Sequence, residues 1–186
     1  MFAPGYNSRM KSSRNLFLVG LMGAGKTTVG RTLARRLAKE FRDTDQEIEQ
    51  RTGVRVSDIF DIEGEAGFRR REAETLARLS ELDNLVLATG GGAVLDARNR
   101  EHLKARGCVV YLHARPVELA KRLGRDRSRP LLQGSEPRAK LEELYGLRDP
   151  LYREVADIIV DTGRQSANSL VDQLLERLDK ECRLSA

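Results

Sequence analysis

Short apolar runs alternate along this chain with stretches whose apolar residues recur every three or four positions. Leu16-Phe17-Leu18-Val19, Leu85-Val86-Leu87-Ala88 and Cys108-Val109-Val110-Tyr111-Leu112 are continuous runs and predict buried strands. Phe41 to Asp43 and Ile158-Ile159-Val160 predict two shorter ones, so strands are expected near 16–20, 40–43, 85–88, 108–112 and 157–161. Val29, Leu33 and Leu37 recur four apart with Arg31, Arg35 and Arg36 between them, an amphipathic helix. Gln46 to Arg51 and Val54 to Ile62 read as short helices closed by Gly53 and Gly64. Residues 65 to 82 read as a longer helix with Phe68, Ala73, Leu76 and Leu79 on its apolar side. Asp96 to Arg106, Pro116 to Leu123 and 137 to 148 are further helices. Pro150 predicts a break, with a short helix following to Ala156. Ser166 predicts the cap of a last helix carrying Leu170, Leu174 and Leu178. Strands alternating with helices imply an α/β fold, a parallel sheet with helices on both faces.

Between the first strand and the first helix lies Gly20-Leu21-Met22-Gly23-Ala24-Gly25-Lys26-Thr27, which fits G-x-x-x-x-G-K-[ST] in its required strand–turn–helix setting. The glycines let backbone N–H groups approach phosphate oxygens, and the helix N-terminus adds its positive dipole end. The Lys26 ammonium can reach terminal phosphates, and the Thr27 hydroxyl can ligate Mg²⁺. Many phosphate-loop proteins carry a metal-holding Asp at the end of a later strand. Here Leu85–Ala88 runs instead into Thr89-Gly90-Gly91-Gly92, so Asp43, at the end of the second strand, is the candidate carboxylate. The triple glycine leaves bare backbone where a ligand can pack closely. Arg69, Arg70 and Arg71 are consecutive on a helix, so they cannot all face one site. Arg122 to Arg129 holds four arginines in eight residues with little apolar content, the make-up of a lid over phosphates.

Composition narrows the reading. At 186 residues the chain is expected to form one domain, residues 15–182, after a solvated tail over 1–14. The net charge is +5, but Arg9, Lys11 and Arg14 lie in an acid-free tail, and the remainder is 30 basic against 28 acidic. That near-balance, with aromatics at 5% and no Trp, argues against a nucleic-acid binder. No apolar run approaches the roughly 20 residues of a membrane span, and no secretory signal is evident, so a cytoplasmic location is expected. Cys108 reads as a small buried hydrophobe, and the two cysteines are expected neither to form a disulfide framework nor to bind metal. His102 and His113 read as structural or exposed.

Taken together, Gly20 to Gly30, Phe41-Arg42-Asp43-Thr44-Asp45, Gly67-Phe68-Arg69, Thr89-Gly90-Gly91-Gly92-Ala93, Arg129-Pro130-Leu131-Leu132 and Arg148-Asp149-Pro150-Leu151-Tyr152 resemble the shikimate kinase family, within the nucleoside-monophosphate-kinase-like branch of phosphate-loop proteins. The resemblance runs from about residue 15 to 180. It implies strand order 2-3-1-4-5 and transfer of the ATP γ-phosphoryl to the 3-hydroxyl of shikimate. It also implies a substrate subdomain near 45–72 and a lid near 121–134. Shikimate would be held by Asp45, Arg69, Gly91 and Arg148. ATP would be held by Gly23, Ala24, Gly25, Lys26, Thr27 and Thr28, with Arg122, Arg129 and Gln165, and Mg²⁺ by Thr27 and Asp43. Lys26, Asp45 and Arg129 would be catalytic. Two guanidinium forks suit a carboxylate, and Asp45 can orient a ring hydroxyl and take its proton. A monomer without nucleic-acid or membrane partners is expected. A same-branch kinase with another acceptor, such as gluconate or a nucleoside monophosphate, is the nearest alternative. A nucleotide-dependent switch is the more distant one.

Overall fold

The computed structural model describes residues 14–123, 137–163 and 165–182. Arg129 and most of the expected lid, and residues 1–13 of the tail, lie outside them.

Five strands form a single all-parallel sheet in the order β2-β3-β1-β4-β5, as the resemblance implied. They are β1 (Asn15–Val19), β2 (Glu40–Asp43), β3 (Leu85–Ala88), β4 (Gly107–His113) and β5 (Ile158–Asp161). The centre is β1, where Phe17 lies in register with Leu87 on one side and Val109 on the other. Every residue of β1 and β3 is buried, which is why both read as continuous apolar runs rather than alternating ones.

The helices are α1 (Lys26–Leu37), α2 (Thr44–Thr52), α3 (Val56–Ser80), α4 (Ala97–Arg106), α5 (Pro116–Leu123), α6 (Pro137–Val155) and α7 (Ala167–Cys182). Helix α1 buries Val29, Leu33 and Ala34 against the sheet, and α7 buries Leu170, Leu174 and Leu178. The Ser166 hydroxyl accepts from the Ser169 N–H at 3.2 Å, the expected cap. The two helices expected on either side of Gly64 follow one another in α3, whose only non-helical residue is Gly64 (φ 69°, ψ 179°). Ile48, Ile59 and Phe68 form a small core of their own between α2 and α3, apart from the main core on the sheet.

Two expectations are corrected. Helix α6 does not break at Arg148-Asp149-Pro150; Pro150 lies inside one continuous helix. A proline ring crowds the carbonyl four residues back and removes one helical donor. Packing offsets this: Leu141, Leu144, Tyr152 and Val155 are all buried along the helix. The cysteines are not separate. Cys108, at the start of β4, and Cys182, the last residue of α7, are joined as a disulfide with Cα atoms 6.0 Å apart. The strand order brings these distant positions together at the amino edge of the sheet, far from the phosphate loop in the chain. Among the described residues no helix is long and apolar enough to cross a membrane.

Candidate active site

At the carboxyl edge of the sheet, β1 hands over to the phosphate loop and the loop to α1. Gly25 is the N-cap of α1 at φ 95°, a left-handed conformation that suits glycine. Ala24 is buried, and its N–H closes the turn onto the Leu21 carbonyl at 3.2 Å. The Lys26 ammonium donates to the Gly20 and Leu21 carbonyls at 2.7 and 3.0 Å, holding it across the mouth of the loop.

The Asp-Thr-Asp segment divides its work. Asp43 ends β2 and caps α2: Oδ1 accepts from the N–H groups of Asp45 and Gln46 at 3.1 and 3.4 Å. Its Oδ2 accepts from the Thr27 hydroxyl at 2.8 Å. One carboxylate and one hydroxyl therefore meet beside the phosphate loop, the hard oxygen donors that Mg²⁺ takes. Thr44, fully buried, accepts from the Gly90 N–H at 2.8 Å and ties the start of α2 to the glycine turn. Asp45 follows in the first turn of α2.

A cavity of about 870 Å³ opens over this edge, lined by Gly23, Gly25, Lys26, Thr27, Thr28 and Asp43, and reaching Asp45, Gly91 and Arg122. A cleft of about 70 Å³ adjoins it, lined by Asp45, Phe60, Arg69, Glu72, Gly91 and Arg148. Asp45 and Gly91 line both. The larger compartment lies over the phosphate loop and the smaller one beside two arginines, and they share a carboxylate and a bare stretch of backbone.

The small cleft sets two guanidinium groups, Arg69 and Arg148, beside two carboxyl groups, Asp45 and Glu72. Arg148 is 3% exposed, yet its Nε and Nη1 meet no acceptor among the described residues. A buried guanidinium with donors turned on a cleft is the signature of an anion site, because leaving them unmet is costly. Arg69 lies opposite: Nη1 donates to Glu72 at 2.7 Å and Nη2 to Glu65 at 2.9 Å. Its neighbours point elsewhere, since Arg71 pairs with Glu63 and Arg70 is exposed.

Glu72 is the functional residue that the sequence reading missed. It is fully buried, and its Oε1 meets no donor among the described residues. Burial pushes its carboxyl above the ordinary range, against the pull of Arg69 and Arg148. It orients Arg69. It also explains part of the triple glycine. A side chain at Gly90 would collide with the Glu72 carboxylate, and one at Gly92 with the Arg69 guanidinium. Only Gly91 has ordinary space, its added carbon meeting the Met22 nitrogen at 3.5 Å and Arg148 Nη1 at 3.7 Å. So two of the three glycines make room for the protein's own ion pair rather than for a ligand.

Arg122 lines the larger cavity, whereas Gln165 is not among the residues that line either compartment. Arg122 donates to the Thr162 hydroxyl at 3.1 Å and the Gly163 carbonyl at 3.0 Å, bridging α5 to the connection after β5. Gln165 Nε2 donates to the Asp161 carbonyl at 2.9 Å and to Gln173 at 3.2 Å. His113 lies between Tyr145 at 3.0 Å and Asp161 at 3.2 Å, a structural setting as expected.

Comparison with known proteins identifies the family. The family model described as shikimate kinase matches residues 22–179. A shikimate kinase of Methylococcus capsulatus is 57% identical over 171 residues, 92% of this chain and 96% of its own. One of Thiobacillus denitrificans is 58% identical over 91% of this chain and 93% of its own. The structure of the Acinetobacter baumannii shikimate kinase in complex with shikimate superposes with a TM-score of 0.89 at 49% identity, over 91% of this chain and 95% of that one. With the family model over residues 22–179, relatives at 57–58% identity and a TM-score of 0.89 over nine-tenths of its length, the chain belongs to the shikimate kinase family.

Proposed function

We propose that this protein transfers the γ-phosphoryl group of ATP to the 3-hydroxyl of shikimate, giving shikimate 3-phosphate and ADP. The observation that carries the reading is the sharing of Asp45 and Gly91 by the phosphate-loop cavity and the cleft that holds Arg69 and Arg148. In-line transfer needs the acceptor oxygen and the γ-phosphorus to meet at such a junction.

The 3-hydroxyl oxygen forms a bond to the γ-phosphorus as the bond to the β,γ-bridging oxygen breaks, and ADP leaves. Asp45 orients that hydroxyl and takes its proton. Asp43 is occupied otherwise, capping α2 and meeting the Thr27 hydroxyl. Arg69 and Arg148 hold the shikimate carboxylate, and Gly91 offers its backbone. Thr27 and Asp43 would hold Mg²⁺, which when bound offsets charge on the phosphate oxygens. Gly23, Gly25, Lys26 and Thr28 surround the phosphates, and Lys26 must leave its two carbonyls for them. Arg129 is assigned the travelling phosphoryl by the resemblance alone, as adenine contacts are to Arg122 and Gln165. The unit over 45–72 serves as substrate subdomain, the segment near 121–134 as lid, and the protein acts as a cytoplasmic monomer.

A coupled ADP-release assay against a panel of acceptors tests this. Turnover should depend on shikimate and be negligible with gluconate and nucleoside monophosphates. Equal turnover with gluconate would refute the assignment of the acceptor.

A further inference from the structure

Tyr152 stands at the junction without touching either cavity. It lies one turn beyond Arg148 on α6 and is fully buried. Its hydroxyl donates to the Gly91 carbonyl, 61 residues away in the chain. Burial pushes the phenol well above its ordinary pKa, and the charge of Arg148 beside it offsets this only in part, so it remains a donor at any working pH. Its ring packs on Tyr111 with centroids 4.9 Å apart.

Gly91 needs such a partner. It has no side chain and sits between two more glycines, so local sterics do not fix its backbone. Nothing about binding ATP or pairing strands calls for a hydroxyl there. We infer that Tyr152 is a positioning residue for the acceptor: one helical turn carries the guanidinium that meets the carboxylate and the hydroxyl that sets the Gly91 peptide, and so fixes their spacing. The inference rests on the proposed function and deepens it. It makes α6, rather than the glycine turn itself, the element that holds the acceptor's subsite in shape.

The test is steady-state kinetics of Tyr152→Phe, with Tyr111→Phe as control. The control deletes a hydroxyl from the neighbouring buried ring, one that donates to Asp149 instead of to the site. Tyr152→Phe should raise KM for shikimate by up to about tenfold, the share of one hydrogen bond's worth that is lost when the Gly91 peptide is no longer held in place for the acceptor. KM for ATP should stay close to wild type, the melting temperature should fall by a few degrees because the Gly91 carbonyl loses its buried donor, and Tyr111→Phe should leave both KM values unchanged. An unchanged shikimate KM in Tyr152→Phe overturns the inference, as does a parallel rise in the ATP KM. A shikimate effect equal in the two variants overturns it too. The wild-type control separates the readings: a wild-type protein that ignores shikimate refutes the proposed function and this inference with it, whereas a wild-type kinase with an indifferent Tyr152→Phe refutes this inference alone.

Discussion

Arg148→Met should make the protein more stable and disable it. Arg148 is 3% exposed, and two of its nitrogens meet no acceptor among the described residues. Each buried donor left unmet costs about 1–3 kcal/mol. Against that stands the attraction between Arg148 and Glu72, which already has Arg69 as a partner at 2.7 Å. Methionine keeps most of the volume and removes the charge, leaving Arg69 and Glu72 as a balanced pair. The net gain should be about 1–3 kcal/mol. For a chain of this length that is a rise of about 2–10 °C in melting temperature. The same change removes a charge-assisted fork from the cleft, so kcat/KM for shikimate should fall roughly 10- to 150-fold or more. Differential scanning fluorimetry with and without shikimate reads both effects. Wild type should gain about 2.7 kcal/mol at a hundred times its Kd, and the variant only about 0.3–1.4 kcal/mol at that same concentration. A lower melting temperature without ligand, or an undiminished shikimate-induced shift, would refute the claim that Arg148 is held, at a cost in stability, for an anion.

The remaining expectations are more local. Asp45→Asn should lower kcat by about 10²–10⁴-fold, the usual worth of a positioned base, with an unchanged melting curve; retained kcat would remove Asp45 from the chemistry. In Gly92→Ala the added carbon would overlap the Arg69 guanidinium, the far end of a flexible side chain. Stability should therefore change little while KM for shikimate rises and KM for ATP does not; a fall in melting temperature with an unchanged shikimate KM would show that Arg69 has another way to sit. Burial alone would raise the Asp149 pKa, but hydrogen bonds from Arg153 and Tyr111 hold it below its ordinary 3.8. A depressed folded pKa stabilises above the unfolded pKa and loses that contribution as pH falls. Asp149→Asn should thus be destabilised at pH 7, with the deficit shrinking below about pH 4; a deficit as large at pH 3 would contradict this.

The parts legible in the sequence are those whose residue pattern is local. The strands β1, β3 and β4 are buried on both faces and read as apolar runs. The phosphate loop needs glycines at fixed spacing, and Asp43 and Asp45 fall where a strand end meets a helix start. What was not legible depends on packing between distant segments. Pro150 was read as a break because its ring usually ends a helix, but the buried side of α6 outweighs the missing donor. Cys108 and Cys182 are 74 residues apart, and only the strand order brings them together. Glu72 did leave a signal. It falls on the buried stripe of α3 with Phe68, Thr75, Leu76 and Leu79, an acid on an apolar face three residues after Arg69. Its meaning becomes clear once Gly90 and Gly92 are seen against it.

The most direct measurement of the central claim uses ATP labelled in the γ-phosphate and follows the label by phosphorus NMR or chromatography. In the presence of shikimate the label should appear in one phosphate ester at the 3-oxygen, and in Asp45→Asn that ester should all but vanish while ATP still binds. Label released as inorganic phosphate at the same rate with and without shikimate would mean that the two cavities sharing Asp45 and Gly91 do not bring a phosphoryl group and an acceptor together.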